Sequence, residues 1–394
     1  MDMINTCINC GGLLDAYYDY EKMKKEMFFE KTRTRRRDLW RWRELLPITD
    51  ESNIVTLGEG GTPLSRCDHI SEILGIKNYY VKNDTVNPTG SFKDRSFSVA
   101  VSKAKELGVK FGLTYTSGNA GASFAAYMAR AGIDAVILVK EWAAREKIGM
   151  IKIYGQKMVK LDFDSFSEVT GMLDQVKKNL GVYQFGVFIN PFRHEGNKTY
   201  AYEIWEDLDG KIPDILIHPV SHGGGIYGAY KGFKELMALG LTSRLPRMIA
   251  AQPAESSPIV KAFDEGKIEA EPFGNPKGTI AQSIGTDAPI GRGKRILKCL
   301  LDSGGCAVAV SDEEMLMAMK WLGREGIFAE PSAAISVAAA KKLIEKGIIK
   351  ENETCVSVVT GSGLKQVEAS YLAMGEELKM IRAQYDELER LIES

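Results

Sequence analysis

The stretch 111–131, FGLTYTSGNAGASFAAYMARA, decides the fold. Its opening residues, Phe111–Tyr115, form a short apolar and aromatic run that reads as a strand. Small residues follow at Ser117-Gly118-Asn119-Ala120-Gly121, and a helical run is predicted over Gly121–Ala131. Strand, small-residue loop and helix in that order make the first half of a βαβ unit.

The same alternation recurs on both sides. Further strands are predicted at Tyr79–Val81, Ala135–Val139, Met158–Leu161, Ile215–Pro219, Met248–Ala251, Ala307–Val310 and Cys355–Thr360. Helices are predicted at Ser96–Leu107, Thr199–Leu208 and Ala333–Lys346. The fold class is α/β with mainly parallel sheets, and no repeat of solenoid period is present.

Composition narrows the function classes. With 44% hydrophobic residues the chain of 394 can build a sizeable core, which excludes a disordered protein. Lys and Arg number 51 against 52 Asp and Glu, so bulk charge recruits neither nucleic acid nor an anionic membrane. No apolar run approaches the roughly 18 residues of a spanning helix, and the N-terminal residues lack a signal-peptide layout. Six cysteines are too sparse for a disulfide scaffold. The expectation is a cytoplasmic α/β enzyme without membrane or nucleic-acid partners.

The two ends differ from the middle. Residues 1–45 read as an arm in which Lys31–Arg43, KTRTRRRDLWRWR, carries seven basic residues and one acid. We read it as packing on the body through Trp40 and Trp42, with its arginines on carboxylates. A nucleic-acid arm is the competing reading. In the C-terminal segment, 371–394, Met374, Leu378, Ile381, Tyr385, Leu388 and Ile392 form a heptad-like stripe. It predicts one amphipathic helix docked on the body, with a dimer contact as the second reading.

Three glycine-rich loops and one lysine carry the chemistry. Asn87-Pro88-Thr89-Gly90-Ser91-Phe92-Lys93-Asp94-Arg95 places Lys93 at the start of a helical stretch. Positive potential and desolvation there favour a neutral, nucleophilic amine. The 117–121 loop and Ser221-His222-Gly223-Gly224-Gly225 each sit between a strand and a helix, where backbone amides converge on an anion. Neither matches a dinucleotide or P-loop pattern. Thr360-Gly361-Ser362-Gly363-Leu364-Lys365 follows the last strand, at the end of the sheet where parallel sheets hold ligands.

In this order and spacing, NPTGSFKDR, TSGNAG, the 221–225 loop and TGSGLK resemble the threonine synthases. These belong to the tryptophan-synthase-like, fold type II group of pyridoxal-phosphate enzymes. LGEGGTPL at Leu57–Leu64 and NPFRHEGNKTYAYEI at Asn190–Ile204 strengthen the likeness, which runs from Cys7 to about Ala369. The resemblance implies a two-domain fold like the tryptophan synthase β subunit, with the active site between the domains. The larger domain would comprise 46–105 and 190–370, and a smaller mobile one 106–189. It implies pyridoxal 5'-phosphate as cofactor, with Lys93 as the Schiff-base lysine and proton shuttle. Asn119 would meet the ring hydroxyl, Ser221, His222, Gly223, Gly224 and Gly225 the phosphate, and Thr360 the pyridine nitrogen. Ser117, Gly118, Asn119, Ala120 and Gly121 would hold the substrate carboxylate, and Arg193 the leaving phosphate. The implied reaction turns O-phospho-L-homoserine and water into L-threonine and phosphate, in a homodimer.

Some residues depart from the family pattern. Val187 stands where an asparagine is common, the phosphate cup is Ser-His-Gly-Gly-Gly, and Ser96 replaces a glycine. These leave open β-elimination or β-replacement on O-phosphoserine, serine or threonine-like amino acids. Cys7 and Cys10 form a single CxxC without a second pair, so they read as half of a zinc ribbon with no metal. His69, His194 and His218 read as packing or surface residues.

Overall fold

The computed structural model describes residues 6–7, 9–25, 28–116, 118–140, 143–162, 166–180, 182–375 and 380–393. Its ten strands are β1 (Leu64–Arg66), β2 (Asn78–Asn83), β3 (Phe111–Thr116), β4 (Asp134–Lys140), β5 (Lys157–Leu161), β6 (Tyr183–Gln184), β7 (Ile215–Pro219), β8 (Arg247–Pro253), β9 (Cys306–Val310) and β10 (Thr354–Val359). All eight predicted strands are present. The two unpredicted ones, β1 and β6, span three and two residues, too short to show a period of two.

The strands form two sheets. One has six strands in the order β1-β2-β10-β7-β8-β9, and the other has four in the order β5-β4-β3-β6. Every pairing is parallel except β1 with β2. Strand β10 lies inside the larger sheet and is apolar on both faces, as a strand covered on both sides must be. Its Cys355 and Val359 join the core under the Asp312–Arg324 and Pro331–Glu345 helices. Val356 and Val358 face the opposite core, with the Thr199–Asp207 and Gly224–Ala238 helices. Alternation along the strand thus produces two cores from one sequence run.

The Lys93–Glu106 helix, grouped above with the larger unit, packs Phe97, Ala100 and Val101 into the core of the four-stranded sheet. Its close neighbour is the short Arg193–Asn197 helix, where a Cβ on Gly196 would lie 1.8 Å from Arg95 O. Only glycine permits that backbone approach.

The basic arm packs on the body. Trp42 is fully buried against Tyr202, and Trp40 donates to Glu59 and Ser98. Arg41 pairs with Glu206 at 3.0 Å, Arg35 with Glu44, and Arg37 with Asp207. These pairings use the charges that a nucleic-acid arm would need free. The C-terminal expectation is corrected. A helix over Glu368–Met374 ends at Gly375, and a second runs over Tyr385–Ile392 with no buried residue. Tyr385 and Ile392 are each 75% exposed, so the stripe does not dock on the body; Leu378 lies outside the described residues.

Candidate active site

A cavity of about 450 Å³ opens between the two sheets, within the usual size range for small-molecule sites. Lys93, Arg193, Ser221, His222, Gly223, Gly224, Gly225 and Thr360 all line it. The sequence places these residues up to 267 positions apart; the parallel topology returns each strand's C-terminal end to the same place.

Lys93 is the first residue of its helix, three positions earlier than the predicted start at Ser96. The turn before it is stitched to the end of β10: Phe92 N donates to Thr360 O at 2.9 Å, and Ser362 N donates to Gly90 O at 2.9 Å. Burial holds the Lys93 amine well below the ordinary lysine range. The cations of Arg193 and Lys365 push the same way, while the Glu330 carboxylate opposes them. Its Nζ lies 3.7 Å from the centroid of the Phe92 ring. The surroundings therefore favour the neutral amine, which is the form a nucleophilic lysine needs.

Gly223 adopts φ +88° as the N-cap of the 15-residue helix Gly224–Ala238. That conformation favours glycine, and the helix presents its positive end to the cavity. The cup has no room for larger residues: a Cβ on Gly223 would meet Ile296 at 2.3 Å, and one on Gly225 would meet His218 at 2.2 Å. His222 Nδ1 accepts from Ile290 N at 3.4 Å.

Arg193 is 5% exposed. Its Nε donates to Ser96 Oγ at 2.9 Å and its Nη1 to Phe185 O at 3.0 Å, and the guanidinium stacks over Phe97. Among the described residues no carboxylate pairs with it. Burial pulls its pKa down to about 9, so it remains charged at neutral pH. A buried cation that lines a cavity and has no paired carboxylate among the described residues has the chemistry to receive an anion. Ser96, noted above only as a departure, is the residue that orients it.

The 117–121 loop is brought less close than expected. Ala120 lines the cavity, whereas Gly118, Asn119 and Gly121 do not. The amides of Gly118 and Gly121 are taken by Thr116 Oγ1 at 3.0 and 3.1 Å, and a Cβ on Gly121 would point into the core at Ile151. Ser117 lies outside the described residues. Asn119 donates from Nδ2 to Glu330 Oε1 at 2.5 Å and to Ser283 Oγ at 3.2 Å, which leaves its buried Oδ1 without a hydrogen-bond partner. Lys147 joins the same cluster, 3.0 Å from Glu330 and 2.8 Å from Ser283. This polar bridge spans the two sheets beside the cavity.

The sequence reading missed the 283–292 segment, which supplies Ser283, Ile284, Gly285 and Pro289 to the cavity wall. Its glycines, in SIGTDAPIGRG, were the available signal. His194 is buried outside the cavity and bonds Asp15 at 2.8 Å, and His218 is buried beneath the cup. Val187 does line the cavity.

The profile of the pyridoxal-phosphate dependent enzyme family matches residues 55–361. A threonine synthase of Methanocaldococcus jannaschii is 44% identical over 381 residues, covering 96% of this chain and 93% of that one. One from Methanosarcina acetivorans is 40% identical, covering 99% and 95%. Among solved structures, maize serine racemase superposes with a TM-score of 0.67 at 23% identity, covering 84% of this chain and 93% of its own. Diaminopropionate ammonia lyase from Escherichia coli gives 0.68 at 17% identity, covering 83% and 92%. These two share the fold.

Proposed function

Because the chain belongs to the pyridoxal-phosphate-dependent enzymes, in the threonine synthase family, we propose that it converts O-phospho-L-homoserine and water into L-threonine and phosphate. The observation that carries the substrate reading is Arg193: a buried guanidinium that no carboxylate pairs with among the described residues, in the same cavity as a lysine whose pKa is held well down. A phosphorylated substrate supplies the missing anion.

The residues fit pyridoxal phosphate. Lys93 offers the amine that binds its aldehyde, Ser221 to Gly225 a small-residue cup at a helix N-terminus, and Thr360 a hydroxyl at the end of β10. Asn119 carries the orphaned buried Oδ1 toward which a ring substituent could be turned. When bound, the cofactor withdraws electrons from the substrate's Cα and Cβ, acidifying their protons.

Lys93 would move protons as general base and acid, taking them from Cα and Cβ and returning them to Cγ, the carbon that phosphate leaves and that becomes the methyl group, and to Cα. Its lowered pKa favours the neutral amine, the form that accepts the first proton. Arg193 holds the γ-phosphate and stabilises the charge it gains on leaving. The 117–121 loop would receive the substrate carboxylate, with Thr116 Oγ1 releasing the Gly118 and Gly121 amides as the smaller unit, 106–189, closes. Water adds at Cβ inside the closed cavity.

A second reading has one specific support. Val187 presents an apolar surface on the cavity wall, which suits a shorter substrate such as O-phosphoserine, serine or a threonine-like amino acid undergoing β-elimination or β-replacement. Phosphate release and threonine formation measured with O-phosphohomoserine, O-phosphoserine, serine and threonine separate the two. Threonine from phosphohomoserine is expected, and turnover of only the shorter substrates would sink the first reading.

The same proposal includes a homodimer, supported by the exposed apolar stripe of Tyr385, Leu388 and Ile392, and a cytoplasmic location. Among the described residues no helix is long and apolar enough to cross a membrane. Sedimentation of the purified chain tests the dimer.

A further inference from the structure

The last motif, Thr360–Lys365, contributes more than a hydroxyl. Lys365 ends a short turn over Gly363–Lys365 that Ser362 caps, and its side chain is only 2% exposed. It runs back beneath the turn that precedes Lys93. Its Nζ donates to Thr89 O at 2.6 Å, and its Cδ would touch a Cβ on Gly90 at 3.5 Å. Asp94 closes the same turn from the other side, accepting from Thr89 N and Thr89 Oγ1 at 2.6 Å each and from Ser123 Oγ at 2.6 Å. Thr89 thus gives its amide to a carboxylate and its carbonyl to an ammonium.

We propose that Lys365 is a positioning residue for Lys93, its buried ammonium clamping the Thr89–Phe92 turn against the end of β10. The inference rests on Lys93 being the reactive amine, and its test reads that amine directly without any substrate.

Two features make the clamp more than packing. Among the described residues no carboxylate forms an ion pair with Lys365, so its charge is balanced at longer range by Asp94 and Glu330 and opposed by Lys147. Burial brings its pKa down to about 8, which leaves it mostly protonated at neutral pH. Lys365 and Arg193 are then the two cations that disfavour a third charge on Lys93, against Glu330. A cation fixed by one carbonyl holds the loop and sets the field at the neighbouring amine in a single contact. Asp94 is itself pushed up to about 6 by burial, yet it stays mostly ionised at neutral pH and faces Lys365 across the turn.

The test uses the full-length chain freed of cofactor, with wild type, Lys365→Met and Lys365→Arg. Each is pulsed with a limiting amine-acylating reagent from pH 6 to 10, and labelling at each lysine is read by peptide mass spectrometry. In wild type, Lys93 labels at neutral pH while Lys365 stays protected relative to exposed Lys178. Lys365→Met is expected to slow Lys93 labelling at pH 7 roughly tenfold and to move its profile to higher pH, the direction given by losing a nearby cation. Lys365→Arg is expected to restore the wild-type profile. A folded Lys365→Met with an unchanged Lys93 profile overturns the proposal. Should Lys365→Met fail to fold, the wild-type measurement decides alone: Lys365 labelling as fast as Lys178 overturns it. A failure of the phosphohomoserine assay would leave these labelling profiles untouched, so the two claims fail separately.

Discussion

Gly196→Ala tests the joint on which the site depends. An added Cβ would lie 1.8 Å from Arg95 O, 2.5 Å from Arg95 C and 3.1 Å from Ser96 N, all backbone atoms that no rotamer change can move aside. An ordinary carbon–oxygen contact is about 3.3 Å, so the Lys93–Glu106 and Arg193–Asn197 helices must part by roughly 1.5 Å. Lys93 lies two residues from Arg95, and Arg193 three residues from Gly196, so the separation falls directly on the two groups that meet in the cavity. Overpacking of this kind costs about 1–3 kcal/mol of stability. A misplacement near 1 Å at reacting groups costs on the order of 10²-fold in rate. The assay is phosphate release together with thermal unfolding, using Gly149→Ala as control because nothing lies within 4 Å of its added Cβ. A Gly196→Ala protein with wild-type melting and wild-type turnover would refute the described helix contact.

Other perturbations follow from the same structure. Arg193→Gln removes a charged hydrogen-bonding group worth about 1.5–3 kcal/mol, so kcat/KM for a phosphorylated substrate is expected to fall roughly 10- to 150-fold while Lys93 remains labelled by cofactor. Glu203→Gln breaks the buried set in which Glu203 pairs with Arg95 at 2.5 Å and Lys82 at 2.8 Å, and denaturant unfolding should report a loss of about 3–5 kcal/mol. His218 has its pKa lowered to about 4 by burial, below an unfolded value near 6.5. The unfolded state therefore binds the extra proton first, and stability falls by about 3 kcal/mol as pH drops from roughly 6.5 to 4. His218→Asn should flatten that part of the stability profile, and an unchanged slope would assign the acid loss elsewhere.

Residues whose roles follow from local pattern were legible in the sequence, and those that depend on long-range pairing were not. Ile215–Pro219 reads as a buried strand because five consecutive residues suit a sheet covered on both faces. Lys93 and the 221–225 cup stand out because glycine, proline and a helix start within a few positions declare a turn. By contrast, β6 exists only because Tyr183 and Gln184 pair with Gly112 and Leu113, and nothing local marks that register. The C-terminal stripe shows the converse error. Its period is genuine, but Gly375 breaks the helix, and periodicity states which residues share a face without stating what that face meets. Glu330 and Lys147 were invisible for a related reason: their bridge to Asn119 and Ser283 joins four distant segments, and only the folded topology assembles it.

The most direct test of the account is to reduce the purified holoenzyme with borohydride and map the modified peptide. The account predicts a pyridoxyl-phosphate mass addition on Lys93 alone, the lysine that lines the cavity among the described residues and whose pKa is held well down. Addition on Lys147 or Lys365, or none on any lysine, would contradict it.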